Sequence, residues 1–511
     1  MMNPFKTDLP YFRTALLVTW LFSAFAAVNA QGPQPGAPLT ERSILETLQA
    51  SRTGAESTNK ILATQIRERG VAFEISAEIE SRLLQSGATD DVINAIRIKL
   101  CDDYMAKADA CEGEDADECK LTNYEKALSF HPQDTAVMIS KGMLLADLDR
   151  FEEAIKEYDR ALAINPKEGD AFNNRGNARG ALERFEDAIK DYNAAIAIDP
   201  NEADYYFNRA ATYYNWKKFD LAAKDYSKYV AMNPKDSLGY TRRGDVFVEL
   251  KKFDAAIKDY STAITLKPED ADNYVNRGRV HSLVENHDLA IKDYNAGLKL
   301  KPADSYALHS RGFSYSRKGD LDRAISDYDK AIELDPANSE IWLHRGMAYE
   351  AKDQKEAADR DYTRAIELDP KDALNFYSRG NIRFQLRDLE QALVDLSKYI
   401  EMVPDDPDGY YSRASVFIDI DESKKALEDL STVIRLAPKD AAAYTNRGLV
   451  YLRAGDYSRS IEDSTTAIRL EPKDPVPYSN RALAYEALGD QKRAEGDRKK
   501  AEALEKAAKP K

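Results

Sequence analysis

Cysteine is almost missing, with three residues in a chain of 511. A small fold stapled by several disulfides is thereby excluded. Long apolar runs are missing too. The longest lies between about Leu16 and Val28, about a dozen residues where a bilayer crossing needs roughly 20. Cations are the minority charge, 73 Lys and Arg against 88 Asp and Glu for a net −15. That balance argues against binding a phosphate backbone, so no nucleic-acid partner is expected. Tryptophan is scarce at three, against 29 Tyr and 17 Phe, an imbalance that needs a structural cause. Apolar residues, at 43% of the chain, are too many for a disordered polymer. The length accommodates about three globular domains or one open repeat array.

The first thirty residues read as an address. Lys6 and Arg13 precede the apolar segment, and Val28-Asn29-Ala30 sets small residues one and three places before a cut after Ala30. This is the layout of a secretory signal peptide. The expected product is exported, periplasmic or secreted, with no transmembrane span in the mature chain; an uncleaved anchor is the alternative. Residues 31–38, rich in Pro and Gly, read as a spacer. Residues 39–100 read as a small helical bundle, with segments near Ser43–Gln49 and Thr58–Arg69. A third helix is capped by Ser76 and ended by Gly87, and a fourth is capped by Thr89 before Val92, Ile93 and Ile96. A spacer or an N-terminal cap is the expected role.

One number governs the rest. Prolines stand at 132, 166, 200, 234, 268, 302, 336, 370, 404, 438 and 472, every gap being 34 residues. Counting the proline as position 32 gives twelve units from Cys101 to Ala508. Position 8 is Gly or Ala from Gly142 to Ala482, position 20 is nearly always Ala, and position 24 is Tyr from Tyr124 through Tyr362. Small residues at 8 and 20 let two helices approach, and aromatics at 4, 11 and 24 fill the space beside them. The tyrosine excess is core.

Each unit resembles a tetratricopeptide repeat, in period and in pattern. The resemblance implies an all-α fold, a right-handed superhelix of about twelve helical hairpins. Residues 101–134 would be a degenerate capping repeat, 135–474 ten regular repeats, and 475–511 a C-terminal cap and tail. It also implies a scaffold for protein or peptide partners, with no catalytic residues, no cofactor and no metal. Two functions follow: an exported scaffold binding peptide segments through a concave groove, or a mainly structural array linking its N-terminal bundle to an envelope complex.

The first unit departs from the pattern. Cys111 and Cys119 flank an acidic stretch where the hairpin should turn, so in an exported protein they are expected disulfide partners. Cys101 is left as a buried thiol. The ten following units carry a repeated charge pair. Position 7 is Arg175, Arg209, Arg243, Arg277, Arg311, Arg345, Arg379, Arg413, Arg447 and Arg481. Position 23 is Asp191, Asp225, Asp259, Asp293, Asp327, Asp361, Asp395, Asp429, Asp463 and Asp497. In a hairpin turning near position 16 the two lie about 3 Å apart in height. Such matching favours a structural Arg–carboxylate ladder, within or between units, over an electropositive stripe for an acidic ligand.

In the resembled family, positions 2, 5, 6, 9, 12 and 13 of each first helix face the groove. From Thr135 onward these hold eleven acidic and four basic residues, so the groove is not basic. The family's clamp for a chaperone C-terminal carboxylate is matched at Asn177, Asn208 and Arg242. Asn173 and Leu238 replace its two lysines, which argues against carboxylate capture and leaves the amides for a peptide backbone. Phe207, Tyr377 and Tyr411 at position 5 are expected to anchor apolar side chains from the groove. His309 and His344, at positions 5 and 6 of neighbouring units, are read as a surface pair and not as a metal site. His281 and His287, at framework positions, are read as space-filling.

Overall fold

The computed structural model describes residues 36–50 and 55–508. The proposed signal peptide and most of the spacer lie outside the described residues. Among the described residues the chain forms 27 α-helices, with one isolated bridge between Leu39 and Val71 as its only β pairing. The helices fall into two compact units, Met1–Lys252 and Phe253–Lys511.

Unit 1 opens with α1 (Glu41–Ala50), α2 (Ala55–Arg69), α3 (Ala77–Gln85) and α4 (Asp90–Asp109). Ile44, Leu62, Ile66, Leu83, Val92 and Ile96 form their common core. Ser76 caps α3 by accepting from the Ile79 amide at 3.2 Å, and Gly87 follows with φ +97°. Thr89 does not cap α4 through its side chain. Its own amide is instead held by Asn59 Oδ1 at 2.9 Å, while Asn59 Nδ2 donates to the Gly87 carbonyl at 3.1 Å. A buried amide from α2 thus ties the α3–α4 turn, a long-range contact that local capping rules do not show.

The expected boundary after residue 100 falls inside α4. Tyr104 and Phe130 stack at 5.7 Å against the bundle core, while Cys101 and Ala108 pack with Tyr124 and Ala127 of the first repeat. One helix therefore serves both cores, and the bundle is continuous with the array. α4 pairs with α5 (Ala116–Phe130) as the first hairpin, closed by a Cys111–Cys119 disulfide with Cα atoms 6.0 Å apart. Cys101 is a buried free thiol.

The later helices alternate in length around 13 and 14 residues for local reasons. A short polar side chain at position 34 caps most first helices; Asp134 Oδ1, for instance, accepts from the Ala136 and Val137 amides. First helices end on a left-handed residue at position 15, from Asp149 (φ 58°) to Gly489 (φ 83°). Proline at 32 prevents the second helix from continuing.

Packing follows from one large and one small residue. Tyr158, Tyr192, Tyr260, Tyr294, Tyr328 and Tyr362 are among the largest fully buried side chains. A Cβ on Gly346 would stand 2.7 Å from the Tyr362 ring, and one on Gly142 2.6 Å from Tyr158. Where a small residue replaces the tyrosine the demand relaxes, with a Cβ on Gly448 3.2 Å from Ser464 Oγ, whereas Leu396 still crowds Gly380 at 2.8 Å. Tyrosines at position 27 are matched likewise. Tyr229 and Tyr399 lie against Gly239 and Gly409, where a Cβ would come within 2.7 and 2.6 Å.

Gly346→Ala is therefore expected to lower stability by about 1–3 kcal/mol through overpacking. Gly448→Ala should be neutral or stabilising, because helix propensity gains up to about 1 kcal/mol. Urea denaturation of the two variants checks the contrast, and equal losses would refute it.

Candidate functional site

The charge ladder pairs residues of the same hairpin. In the nine hairpins lying wholly inside one unit, the Arg at position 7 forks onto the Asp at position 23. Arg277 Nε and Nη2 donate to Asp293 Oδ2 and Oδ1 at 2.8 and 2.7 Å, and Arg379 does the same to Asp395. Arg175, Arg209, Arg311, Arg345, Arg413, Arg447 and Arg481 repeat this with Asp191, Asp225, Asp327, Asp361, Asp429, Asp463 and Asp497. Arg243 and Asp259 stand on opposite sides of the division between the units. The carboxylates are buried and the guanidiniums only partly exposed. Hydrogen bonds donated to Asp293 outweigh burial and hold Arg277 above its ordinary value.

A third bond reaches the preceding repeat. Nη1 of each position-7 Arg donates to a short polar side chain at position 25 of that repeat. Arg175 reaches Asp159, Arg209 Asn193, Arg243 Ser227 and Arg277 Ser261. The pattern continues to Arg481 and Thr465 at 3.0 Å. The sequence carries this signal, since position 25 is Asp, Asn, Ser or Thr in all ten preceding units, but its chemistry varies too much to stand out beside an invariant Arg. Position 11 holds a second unforeseen partner. Where it is not aromatic, Arg179 and Arg383 add bonds of 2.8 Å to Asp191 and Asp395. His281 lies 3.8 Å from Asp293, so it faces a carboxylate and does more than fill space. Burial lowers its pKa, against the pull of Asp293.

The groove positions are tied to one another across repeats. Asn208 Nδ2 donates to Asn173 Oδ1 at 3.0 Å, and Asn446 Nδ2 to the Tyr411 hydroxyl at 2.9 Å. Asn177 accepts from the buried Tyr192 hydroxyl at 2.7 Å, and Arg242 lies 3.5 Å from Asp245. Asn177 and Asn208 are thus engaged within the protein, and Arg242 has an acidic neighbour. Phe207 and Tyr377 are half-buried. Phe207 packs on Tyr226 and Tyr229 at 5.3 and 4.9 Å, and Tyr377 on Tyr399 at 4.9 Å. They reach further into the core than groove anchors were expected to, because tyrosines at 24 and 27 lie directly beneath position 5.

His309 and His344 meet, with Nε2 of the first 2.7 Å from Nδ1 of the second. They are not a surface pair: His309 is 8% exposed, its ring 5.8 Å from Tyr328, and His344 packs on Phe313 at 5.4 Å. Burial, then the neighbouring imidazole, pushes His309 down to about 4, and burial lowers His344 as well. Cys101 faces Asp134 with Sγ 3.7 Å from Oδ2, and His131 Nδ1 lies 3.1 Å from the same oxygen. Burial and the carboxylate push the thiol up to about 12, so it is not a nucleophile at neutral pH.

Models of the TPR repeat match residues 142–183, 181–215, 244–283 and 314–353. Models of the tetratricopeptide repeat match 203–236, 271–304, 339–372 and 411–475. Together they cover more than half of the chain. The chain belongs to the tetratricopeptide-repeat family. Such folds typically serve as non-catalytic scaffolds for protein–protein interaction. Among curated protein sequences no relative is matched. Similar solved structures include the MamA protein, 27% identical over 33% of this chain and 92% of its own, with a TM-score of 0.31. Another is YrrB, described as a TPR protein with an unusual peptide-binding site, 24% identical over 36% of this chain and 95% of its own, TM-score 0.33. A tetratricopeptide repeat protein from Parabacteroides merdae is 19% identical over 48% and 98%, TM-score 0.40. Among the described residues of this tetratricopeptide-repeat protein, no helix is long and apolar enough to cross a membrane.

The ladder predicts a graded response. Asp293→Ala removes both prongs from Arg277 and is expected to cost about 2–3 kcal/mol, below the 3–5 typical of a fully buried pair because Arg277 is partly exposed. Ser261→Ala leaves the fork intact, removes the third bond together with the hydroxyl's own bond to the Ile257 carbonyl, and should cost about 1 kcal/mol or less. Chemical denaturation of both variants measures the order; a larger loss for Ser261→Ala would contradict it.

Proposed function

We propose that this protein is an exported scaffold that holds peptide segments of partner proteins along its first helices. The observation that carries the reading is a set of exposed apolar side chains at positions that face the groove in this family. Met143 and Leu238 stand there in unit 1, and Leu283, Tyr306, Leu374 and Leu483 in unit 2. They alternate with the amides and carboxylates already described. Apolar anchors set in polar surroundings suit a segment that offers both side chains and backbone. No run of cations lies among these positions, so recognition by a C-terminal carboxylate is not part of the proposal.

Export is supported by the Lys6 to Ala30 signal pattern and by the Cys111–Cys119 bond, since disulfides persist in oxidising compartments. The N-terminal bundle serves as a cap, because α4 belongs to both its core and that of the first repeat. A repeat array needs such ends, its terminal hairpins having no outer neighbour.

Tyr306→Asp with Leu374→Asp is expected to reduce partner retention from envelope extract at least tenfold while leaving the melting temperature nearly unchanged. Leu334→Asp, an equally exposed site on a second helix, is the control and should retain the partner. Loss by the control and not by the groove variant would refute the reading. Mass measurement of protein from the envelope fraction should give an N-terminus at Gln31; accumulation of full-length chain in the cytoplasm would remove the export component.

A further inference from the structure

We propose that His309, Glu340 and His344 form a binding site for a divalent transition-metal ion of the zinc class. His309 lies on the helix Ser305–Arg317, and Glu340 and His344 lie one turn apart on the helix Ser339–Ala351. One nitrogen from each imidazole and one carboxylate oxygen all lie within 4.8 Å of one another. All three residues belong to unit 2.

The donor set selects the ion. Two imidazole nitrogens and one carboxylate suit Zn²⁺, Co²⁺, Ni²⁺ or Cu²⁺, whereas Ca²⁺ and Mg²⁺ take oxygen ligands. Neutral imidazole is the ligating form, and burial beside Tyr328 and Phe313 disfavours its protonation. Binding requires only a modest rearrangement. Tetrahedral bonds of about 2.05 Å place two nitrogens about 3.3 Å apart, against the present 2.7 Å. The N–H that now bridges the rings moves to the other nitrogen of its own imidazole, so no proton is lost. Glu340 is exposed and swings in from the rim. A recess of about 350 Å³ lined by Tyr306, His309, Asp335, Glu340 and Ile341 adjoins the cluster, leaving room for water or a partner's side chain as fourth ligand.

Comparison with the other repeats separates this from an ordinary inter-repeat contact. At the same two positions, Asn173 meets Asn208 and Tyr411 meets Asn446. Those pairs satisfy each other as amides and hydroxyls and offer no soft nitrogen donor. Only at 309 and 344 do both positions carry imidazole, with a carboxylate one turn before the second.

The full chain, freed of metal, is titrated with Co²⁺ and followed by visible absorption, and with Zn²⁺ followed by melting temperature. The expected result is one Co²⁺ per chain with the absorption of a four-coordinate nitrogen and oxygen site, and a rise in melting temperature with Zn²⁺. Glu340→Gln, at an exposed residue, should keep the circular dichroism of the parent and weaken binding at least tenfold. His344→Gln should abolish it. His131→Gln controls for the Cys101, His131 and Asp134 cluster and should bind normally. No visible band with no melting shift up to millimolar metal overturns the proposal. So does binding that survives Glu340→Gln and His344→Gln, or that is lost in His131→Gln.

Discussion

The position-7 guanidinium fixes the geometry on which the array depends. Its fork onto position 23 sets the height of the second helix against the first, and its third N–H fixes that hairpin against position 25 of the previous one. In repeat proteins stability divides into a term within each unit and a term between neighbours. Here one side chain contributes to both. The Asp carboxylates are 1–9% exposed in the nine hairpins inside one unit, and a carboxylate so placed is costly unless bidentate partners offset its desolvation. A slip of one residue between the two helices of a hairpin would break both prongs of its fork at once. The ladder therefore excludes alternative registers, a role that its modest net stabilisation alone would not suggest.

Much of this was legible because it is periodic. The 34-residue proline spacing, the small residues at 8 and 20 and the Tyr at 24 specify a hairpin whose large and small residues interlock, and Gly346 against Tyr362 shows how tightly. What escaped sequence reading is the part that is long-range or chemically variable. Thr89 has the form of a cap, yet Asn59 from another helix holds its amide. Residue 100 ends a composition pattern, yet α4 continues through it because both cores draw on its two faces. Position 25 changes among Asp, Asn, Ser and Thr, since a single N–H needs only some acceptor.

The groove shows the same economy. Its polar residues were read as waiting for a ligand, but Asn177 already serves the Tyr192 hydroxyl and Asn208 already serves Asn173. A buried amide left unpaired costs about 1–3 kcal/mol, so facing positions on adjacent repeats settle on mutually satisfying pairs. Selection for stacking and selection for binding thus act on the same residues. The position-5 aromatics illustrate the compromise: Phe207 and Tyr377 support the tyrosines beneath them and expose only part of their rings.

This division of labour locates specificity. Several residues at 5 and 6 are held by contacts 35 residues away, so a partner that engaged them would have to replace bonds the scaffold already makes. Positions 2, 9 and 13 carry no such obligation in every unit, and there too the chain varies, from Asp272 to Tyr306 and from Met143 to Arg279. Exposed apolar residues, among them Met143, Tyr306 and Leu374, stand at those positions. The invariant fork beneath them keeps each first helix in place, which allows the surface above it to change from repeat to repeat without changing the fold. A rigid ladder and a variable face are then two consequences of one arrangement, because only a backbone fixed by side chains outside the groove leaves the groove free to diversify.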